Sequence, residues 1–123
     1  MISHVSVGVR DVGTAGRFYD AALAPLGYKR MVDSPEALGY GADGPAFWVL
    51  KVERPVPADP ASGLHFCLDA TSRTAVDHFH AAALKNGGKD NGKPGVRKDY
   101  GEKYYAAFVI DPDGYRLEAY CGK

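Results

Sequence analysis

The sequence lacks an excess of charge of either sign. Fifteen lysines and arginines balance fifteen acidic residues among 123 residues, and neither sign gathers into a long block. A nucleic-acid footprint or a patch for an anionic membrane surface requires a concentration of positive charge. We therefore expect a small-molecule partner, neutral or weakly charged, and neither nucleic acid nor membrane.

Long apolar runs and cysteines are also scarce. No stretch approaches the ~18 to 20 apolar residues of a membrane span, and the opening MISHVSVGVRD has no basic segment followed by an apolar one. The two cysteines, Cys67 and Cys121, fall in predicted strands and form no CxxC pair. This usage indicates reduced thiols and not a disulfide framework. We expect a soluble cytoplasmic protein.

The sequence does contain a duplication. Shifted by 65 − 4 = 61 positions, HVSVGVRDVGTAGRFYDAALAPLG lies over HFCLDATSRTAVDHFHAAALKNGG without a gap, and His4 aligns with His65. Since 61 is about half of the length, we predict one domain made of two copies of one module. Module one covers residues 1–52 and module two covers 64–123. The segment 53–63 carries three prolines and is the natural linker.

Each copy has the residue pattern of a βαβββ module. It opens with alternating apolar and polar residues, typical of a strand with one buried face, and continues into an amphipathic helix. Thr71 or Ser72 is expected to cap the second helix. The other predicted elements are the first helix at about 14–23, the strands 28–32, 38–41 and 46–52 of copy one, and the strands 95–100, 104–110 and 115–121 of copy two. The fold class is α+β, with two modules forming an open, eight-stranded, barrel-like cleft and the helices outside.

Two turns set the register of the last strands. Asp43-Gly44 and Asp113-Gly114 both read as strand-connecting turns, and aligning them shifts the offset to 113 − 43 = 70. Trp48 then lies over Glu118. A rival register keeps 61 throughout and pairs residues 46–47 with 107–108. The turn-based register is preferred because it matches both the turn and the strand.

Three chemically distinctive residues share the polar faces of these strands. Arg116, Glu118 and Tyr120 form the polar face of the last strand, and His4 and His65 lie on the less apolar face of each opening strand. If the modules face each other around a pseudo-twofold axis, His4, His65 and Glu118 converge. Two imidazoles and a carboxylate suit Fe(II), Mn(II), Zn(II) or Ni(II), with vacant positions for water or substrate. Each histidine taken alone is more often a polar strand-edge residue than a metal ligand, and the joint pattern of all three residues is what indicates the metal.

Three motifs carry a family resemblance. I-x-H-V-x-V-x-V-x-D at the start, F-Y-x-x-x-L-x-x-L-G-Y in the first helix and D-P-D-G-x-x-L-E-A at the end resemble the vicinal oxygen chelate superfamily across essentially the whole chain. That superfamily includes glyoxalase I, bleomycin-resistance proteins, extradiol dioxygenases and fosfomycin-resistance enzymes. The resemblance implies a divalent metal held by His4, His65 and Glu118, with Glu118 also expected to act in catalysis. It further implies a homodimer.

The fourth ligand position of the family falls on Trp48, and here the sequence departs. An indole can neither bind the metal nor act as a base, so true glyoxalase I activity is not expected. The resemblance then implies lyase, isomerase or oxygenase chemistry on a small oxygen-bearing substrate, with Trp48 as an apolar wall. The alternative is a non-catalytic small-molecule binding protein of the bleomycin-resistance type.

The glycine-rich segment 92–108 is predicted to close over the ligand. Its arginine and tyrosines supply hydrogen-bonding and stacking groups. Arg97 and Tyr105, together with Trp48, are the predicted substrate-binding residues. The same segment also fits a solvated loop whose tyrosines pack on the sheet.

Overall fold

Each half of the chain forms one four-stranded mixed sheet and one helix. The computed structural model describes residues 1–57 and 59–123. The elements in chain order are β1 (Val5–Val9), α1 (Val12–Leu23), β2 (Lys29–Asp33), β3 (Ala37–Gly41), β4 (Pro45–Lys51), β5 (His65–Asp69), α2 (Arg73–Lys85), β6 (Lys89–Val96), β7 (Tyr105–Ile110) and β8 (Arg116–Cys121). The structure also contains two short 3-10 turns, Ala24–Leu26 and Pro60–Ser62.

The two sheets have the same topology. The strand orders are β1-β4-β3-β2 and β5-β8-β7-β6. In each sheet the opening strand pairs in parallel with the last strand, and the remaining pairs are antiparallel. The predicted α+β fold of two βαβββ modules is confirmed, although the two sheets are not closed into a barrel.

The strand pairing confirms the turn-based register. Ser6 lies opposite Trp48 in the first sheet, and Cys67 lies opposite Glu118 in the second. Ser6 and Cys67 are 67 − 6 = 61 positions apart, whereas Trp48 and Glu118 are 118 − 48 = 70 apart. The rival constant offset is therefore wrong, because β6 is longer than β2 and the connection after it is also longer.

Side-chain caps fix where the helices begin. The Asp11 carboxylate accepts a hydrogen bond from the Thr14 backbone amide, so α1 starts two residues before the predicted boundary. Ser72, and not Thr71, caps α2 through the Ala75 amide. Across the described ranges, neither helix has the length and apolarity to cross a membrane.

The strand predicted at 95–100 is wrong. The strand in this part of the chain is β6, which begins directly after the turn at Gly87 and ends at Val96. Its register against β7 shifts at Gly92 and again before Gly95, so the glycines form irregularities within the strand and do not interrupt it. Pro94 is tolerated because β6 is an edge strand.

The two modules share one hydrophobic core. Helices α1 and α2 pack against each other, and Phe18 and Phe79 are fully buried among residues from both sheets. The apolar faces of the strands therefore turn toward the helices. The opposite faces, with Trp48 on the first sheet and Glu118 on the second, are the ones the helices leave uncovered.

Candidate functional site

A cleft of about 700 Å³ opens over the uncovered face of the second sheet. Its floor comes from β5, β7 and β8, and its side from β6 and the connection between β6 and β7. The side chains that define its character are His65, Asn91, Asp99, Tyr100, Tyr104, Phe108, Arg116 and Glu118.

Glu118 is a buried carboxylate at the floor of this cleft. Only 3% of the residue is exposed, and none of the lysines or arginines in the described ranges pairs with it. One oxygen, Oε1, lies 3.2 Å from His65 Nε2. The other, Oε2, accepts a hydrogen bond of 2.5 Å from the Tyr104 hydroxyl. The carboxylate is thus fixed in orientation, with Oε1 turned toward the imidazole.

Tyr104 is held in place by other tyrosines. Its ring lies 4.2 Å from that of Tyr120 and 5.2 Å from that of Tyr100, measured between centroids. Burial and the hydrogen bond to Glu118 raise the pKa of Tyr104 well above that of a free tyrosine. The hydroxyl therefore keeps its proton and acts as a donor to Glu118.

Cys67, on β5, lies directly opposite Glu118 of the neighbouring strand β8 and beside its carboxylate. Burial, followed by the negative charge of Glu118, raises the pKa of the Cys67 thiol to about 12. The thiolate is the reactive form of cysteine. The raised pKa favours the protonated Cys67 thiol beside Glu118, and both cysteines are free.

Among the described residues, His4 makes no hydrogen bond to either of the other two predicted ligands. It directly precedes β1 and is exposed, and its Nδ1 contacts the Ser3 hydroxyl at 3.1 Å. Within residues 1–57 and 59–123, no group of three or more His, Cys, Asp and Glu side chains is arranged to hold a metal. One chain therefore brings His65 and Glu118 together, and within the described ranges this pair forms no metal-holding group with His4.

The predicted substrate-binding residues lie in three different places. Trp48 occupies the position equivalent to Glu118 on the first sheet, with its ring packed over Gly39. The Arg97 guanidinium lies 5.3 Å from the centre of the Phe108 ring. Tyr105 faces helix α2, where its hydroxyl donates to Asp77 at 2.6 Å.

Tyr104, and not Tyr105, is the tyrosine of this pair that lines the cleft. Consecutive residues entering a strand point to opposite faces, so only one of the two can reach Glu118. The sequence reasoning also did not assign a role to Arg116, Phe108 or Asn91. The alternation of β8 could have indicated Arg116, because this residue shares the polar face of the strand with Glu118. Phe108 has no such local pattern, and only its pairing opposite Glu118 brings it to the cleft.

Similarity to known proteins comes from solved structures. No protein-family model and no curated protein sequence matches the chain. A glyoxalase/bleomycin resistance protein from Albidiferax ferrireducens T118 is 32% identical, with a TM-score of 0.82, over 96% of this chain and 95% of the other.

More distant structures share the fold. A glyoxalase-related enzyme from Fulvimarina pelagi is 18% identical with a TM-score of 0.76, over 98% of this chain and 86% of the other. A genomically encoded fosfomycin resistance protein from Listeria monocytogenes is 13% identical with a TM-score of 0.72, over 100% of this chain and 93% of the other. Together with the duplicated module and its motifs, the 32% identity over nearly both full lengths shows that the chain belongs to the glyoxalase/bleomycin resistance protein family of the vicinal oxygen chelate superfamily.

Proposed function

We propose that the protein is a divalent-metal-dependent enzyme acting on a small oxygen-bearing substrate. The observation that carries this proposal is the buried Glu118 carboxylate facing His65 at the floor of an open cleft. Burying a carboxylate without a cation is costly, and a bound metal would supply the missing positive charge.

The donor atoms fit a metal. His65 Nε2 and Glu118 Oε1 are 3.2 Å apart, which suits two neighbouring ligands each about 2.0 to 2.2 Å from one ion. An imidazole nitrogen and a carboxylate oxygen are also the donor types that Fe(II), Mn(II), Zn(II) and Ni(II) accept. When bound, the metal would polarise adjacent oxygens of the substrate for lyase, isomerase or oxygenase chemistry.

The third ligand, His4, is proposed to come from a second copy of the chain. Within one chain, the described residues form no group of three ligands around the His65–Glu118 pair, so a third ligand from elsewhere would complete it. A homodimer that places module one of one copy over module two of the other would bring His4 to the His65–Glu118 pair. It would also cover β1 and β5, which lie at the edges of their sheets.

Trp48 limits the chemistry. Its position is equivalent to that of Glu118, but an indole nitrogen only donates a hydrogen bond. At this position the first module therefore supplies no second carboxylate to hold the metal or to move a substrate proton. For this reason the proposed enzyme is not a glyoxalase I.

A small-molecule binding protein is the second candidate. It is favoured by one observation, namely that Tyr104 and His65 already occupy both oxygens of Glu118. In that case the cleft would hold a ligand without catalysis. Trp48, Arg97 and Tyr105 were the contacts expected for it, and the lining makes Tyr104 the better candidate than Tyr105.

Metal titration by calorimetry tests the proposal. We expect the wild type to bind at least one of Fe(II), Mn(II), Zn(II) and Ni(II) tightly, and Glu118→Gln to bind much more weakly because it keeps the shape but loses the charge. Trp48→Phe, at the equivalent position of the other module, is the matched control and should take up metal like the wild type. Affinity should fall with decreasing pH, since histidine ligands bind metal only when neutral.

Two outcomes would contradict the metalloenzyme. One is a wild type that binds none of the four ions below millimolar concentration. The other is a Glu118→Gln variant that binds as well as the wild type. Either result would leave the binding-protein candidate in its place.

A further inference from the structure

We infer that the cleft selects a substrate with an aromatic ring and one carboxylate, the carboxylate bound by Arg116 and the ring held by the tyrosines above Glu118. This inference rests on the proposed function in that it names the substrate class of the same cleft. It depends, however, on residues that hold no metal, so the two can be tested separately.

Arg116 is a cation without a partner at the cleft floor. It lies two residues before Glu118 on β8, on the same face, and is paired directly beside His65. No acceptor in residues 1–57 and 59–123 receives a hydrogen bond from its guanidinium, and no carboxylate there forms an ion pair with it. The residue is nonetheless half-buried. A guanidinium whose donors are unused by the described residues is well suited to bind a planar carboxylate through two parallel hydrogen bonds.

The cleft also has an aromatic wall. The Tyr100 and Tyr104 rings are in edge contact, and Tyr100 is 67% exposed at the rim. Phe108 lines the cleft from β7, opposite Glu118. Since the Tyr104 hydroxyl is engaged by Glu118, the rings are what this wall offers to a ligand. Aromatic pairs of this kind contribute beyond their buried area and favour a flat ring over an aliphatic one.

The charges in the lining restrict the ligand further. Arg116 is the only lysine or arginine among the described residues that line the cleft, and Asp99 is acidic and exposed. A phosphate or phosphonate dianion is usually bound by more than one cation, so a carboxylate monoanion fits a single arginine better. The acidic Asp99 disfavours a second anionic group on its own side of the lining. A ring carrying one carboxylate therefore fits both the wall and the floor.

The test uses benzoate on protein freed of metal with a chelator, so that no ion can bind the carboxylate. We expect calorimetry or ligand-observed NMR to show saturable benzoate binding at least about tenfold tighter than that of benzamide, which is isosteric and uncharged. Cyclohexanecarboxylate should also bind more weakly than benzoate, because it lacks the flat ring. Benzoate affinity should drop about tenfold or more in Arg116→Gln.

Arg17→Gln is the matched control, because Arg17 is exposed on α1 and away from the cleft. It should bind benzoate like the wild type. Metal titration of Arg116→Gln should match the wild type, since Arg116 is not a ligand.

The inference is overturned if benzoate does not bind saturably, if it binds no better than benzamide, or if Arg116→Gln binds it unchanged. If the benzoate results are as expected but the wild type binds no metal, or Glu118→Gln binds it as well as the wild type, the proposed metalloenzyme is wrong and the anion site stands. If only the benzoate results fail, the metal site stands and the substrate class is wrong.

Discussion

The hydroxyl of Tyr104 fixes the orientation of the Glu118 carboxylate, and replacing Tyr104 by phenylalanine removes that hydroxyl alone. The expected effect of Tyr104→Phe is a loss of metal affinity of about tenfold, because groups that orient metal ligands typically contribute 10- to 100-fold. The ring contact with Tyr120 would remain, so the fold should persist. Calorimetric metal titration and thermal melting measure the two effects.

The adjacent residue provides the control for this prediction. Tyr105→Phe removes a hydroxyl that donates to Asp77 on the helix side of the sheet. It should leave metal affinity unchanged. Equal affinities in Tyr104→Phe and the wild type would show that Tyr104 does not position the carboxylate.

Cys67 should react slowly with alkylating agents although the residue is exposed. Because its pKa is raised to about 12, alkylation by iodoacetamide at pH 8 should be on the order of 50-fold slower than that of a free cysteine, even allowing for the greater nucleophilicity of a more basic thiolate. Glu118→Gln should accelerate it, since the negative charge of Glu118 disfavours the thiolate. Mass spectrometry follows the reaction, with Cys67→Ser identifying the labelled thiol. Rapid labelling of wild-type Cys67 would contradict this environment.

For single residues, the sequence predicts which face of a strand a side chain occupies better than it predicts which side chains touch one another. Strict alternation placed Arg116 and Glu118 on one face of β8, and that face lines the cleft. Tyr104 and Tyr105 are neighbours and so point to opposite faces, and the composition of the segment 92–108 does not say which of them is on the cleft side. The hydrogen bond from Tyr104 to Glu118 joins residues on different strands, and no local pattern in the sequence encodes it.

Among the elements, the turn between β7 and β8 connects the two modules. Asp111 Oδ1 accepts from the backbone amides of Asp113 and Tyr115, and Oδ2 accepts from the Tyr19 hydroxyl on α1. The Tyr115 hydroxyl also donates to the Gly8 carbonyl on β1, at 2.7 Å. The turn is thus bonded to the helix and to the first strand of the other module.

Tyr19→Phe should destabilise the protein by about 1 to 3 kcal/mol, because the buried Asp111 carboxylate would lose a hydrogen-bond donor. Urea unfolding followed by circular dichroism measures the change. Tyr105→Phe again serves as control, since its acceptor Asp77 is exposed and the loss should be smaller. Equal losses in the two variants would mean that the link between the modules adds nothing beyond an ordinary surface hydrogen bond.

The elements predicted correctly are those with strong local signals. Ser72 before an apolar stripe and Gly87 after it delimit α2 within about one turn. The sequence of β6 has glycines and a proline, and its pairing is decided by β7. A tertiary contact overrides weak strand propensity there, which is why that strand was misplaced.

For the whole molecule, mixing two inactive variants distinguishes a site within one chain from a site between two. His4→Ala and Glu118→Gln should each bind metal poorly alone. In a mixed dimer, the first variant contributes His65 and Glu118 and the second contributes His4, so one intact site forms. Random exchange makes half of the dimers mixed, and uptake should return to about one metal per four chains.

Mass spectrometry under native conditions would report both the dimer and its metal. No recovery after subunit exchange, or a protein that light scattering shows to be monomeric at tens of micromolar, would contradict the shared site. The control mixes Trp48→Phe with the wild type, where uptake should not depend on the ratio.

The Asp111 turn also bears on how related chains are recognised. Of the four residues D-P-D-G, Asp111 holds the turn directly, since both of its carboxylate oxygens accept internal hydrogen bonds. A descendant could therefore lose Glu118, keep the four letters and fold in the same way without any metal chemistry. Under the proposed function, the fold and the metal therefore depend on different positions: the turn needs Asp111, whereas the metal needs Glu118, four residues after Gly114.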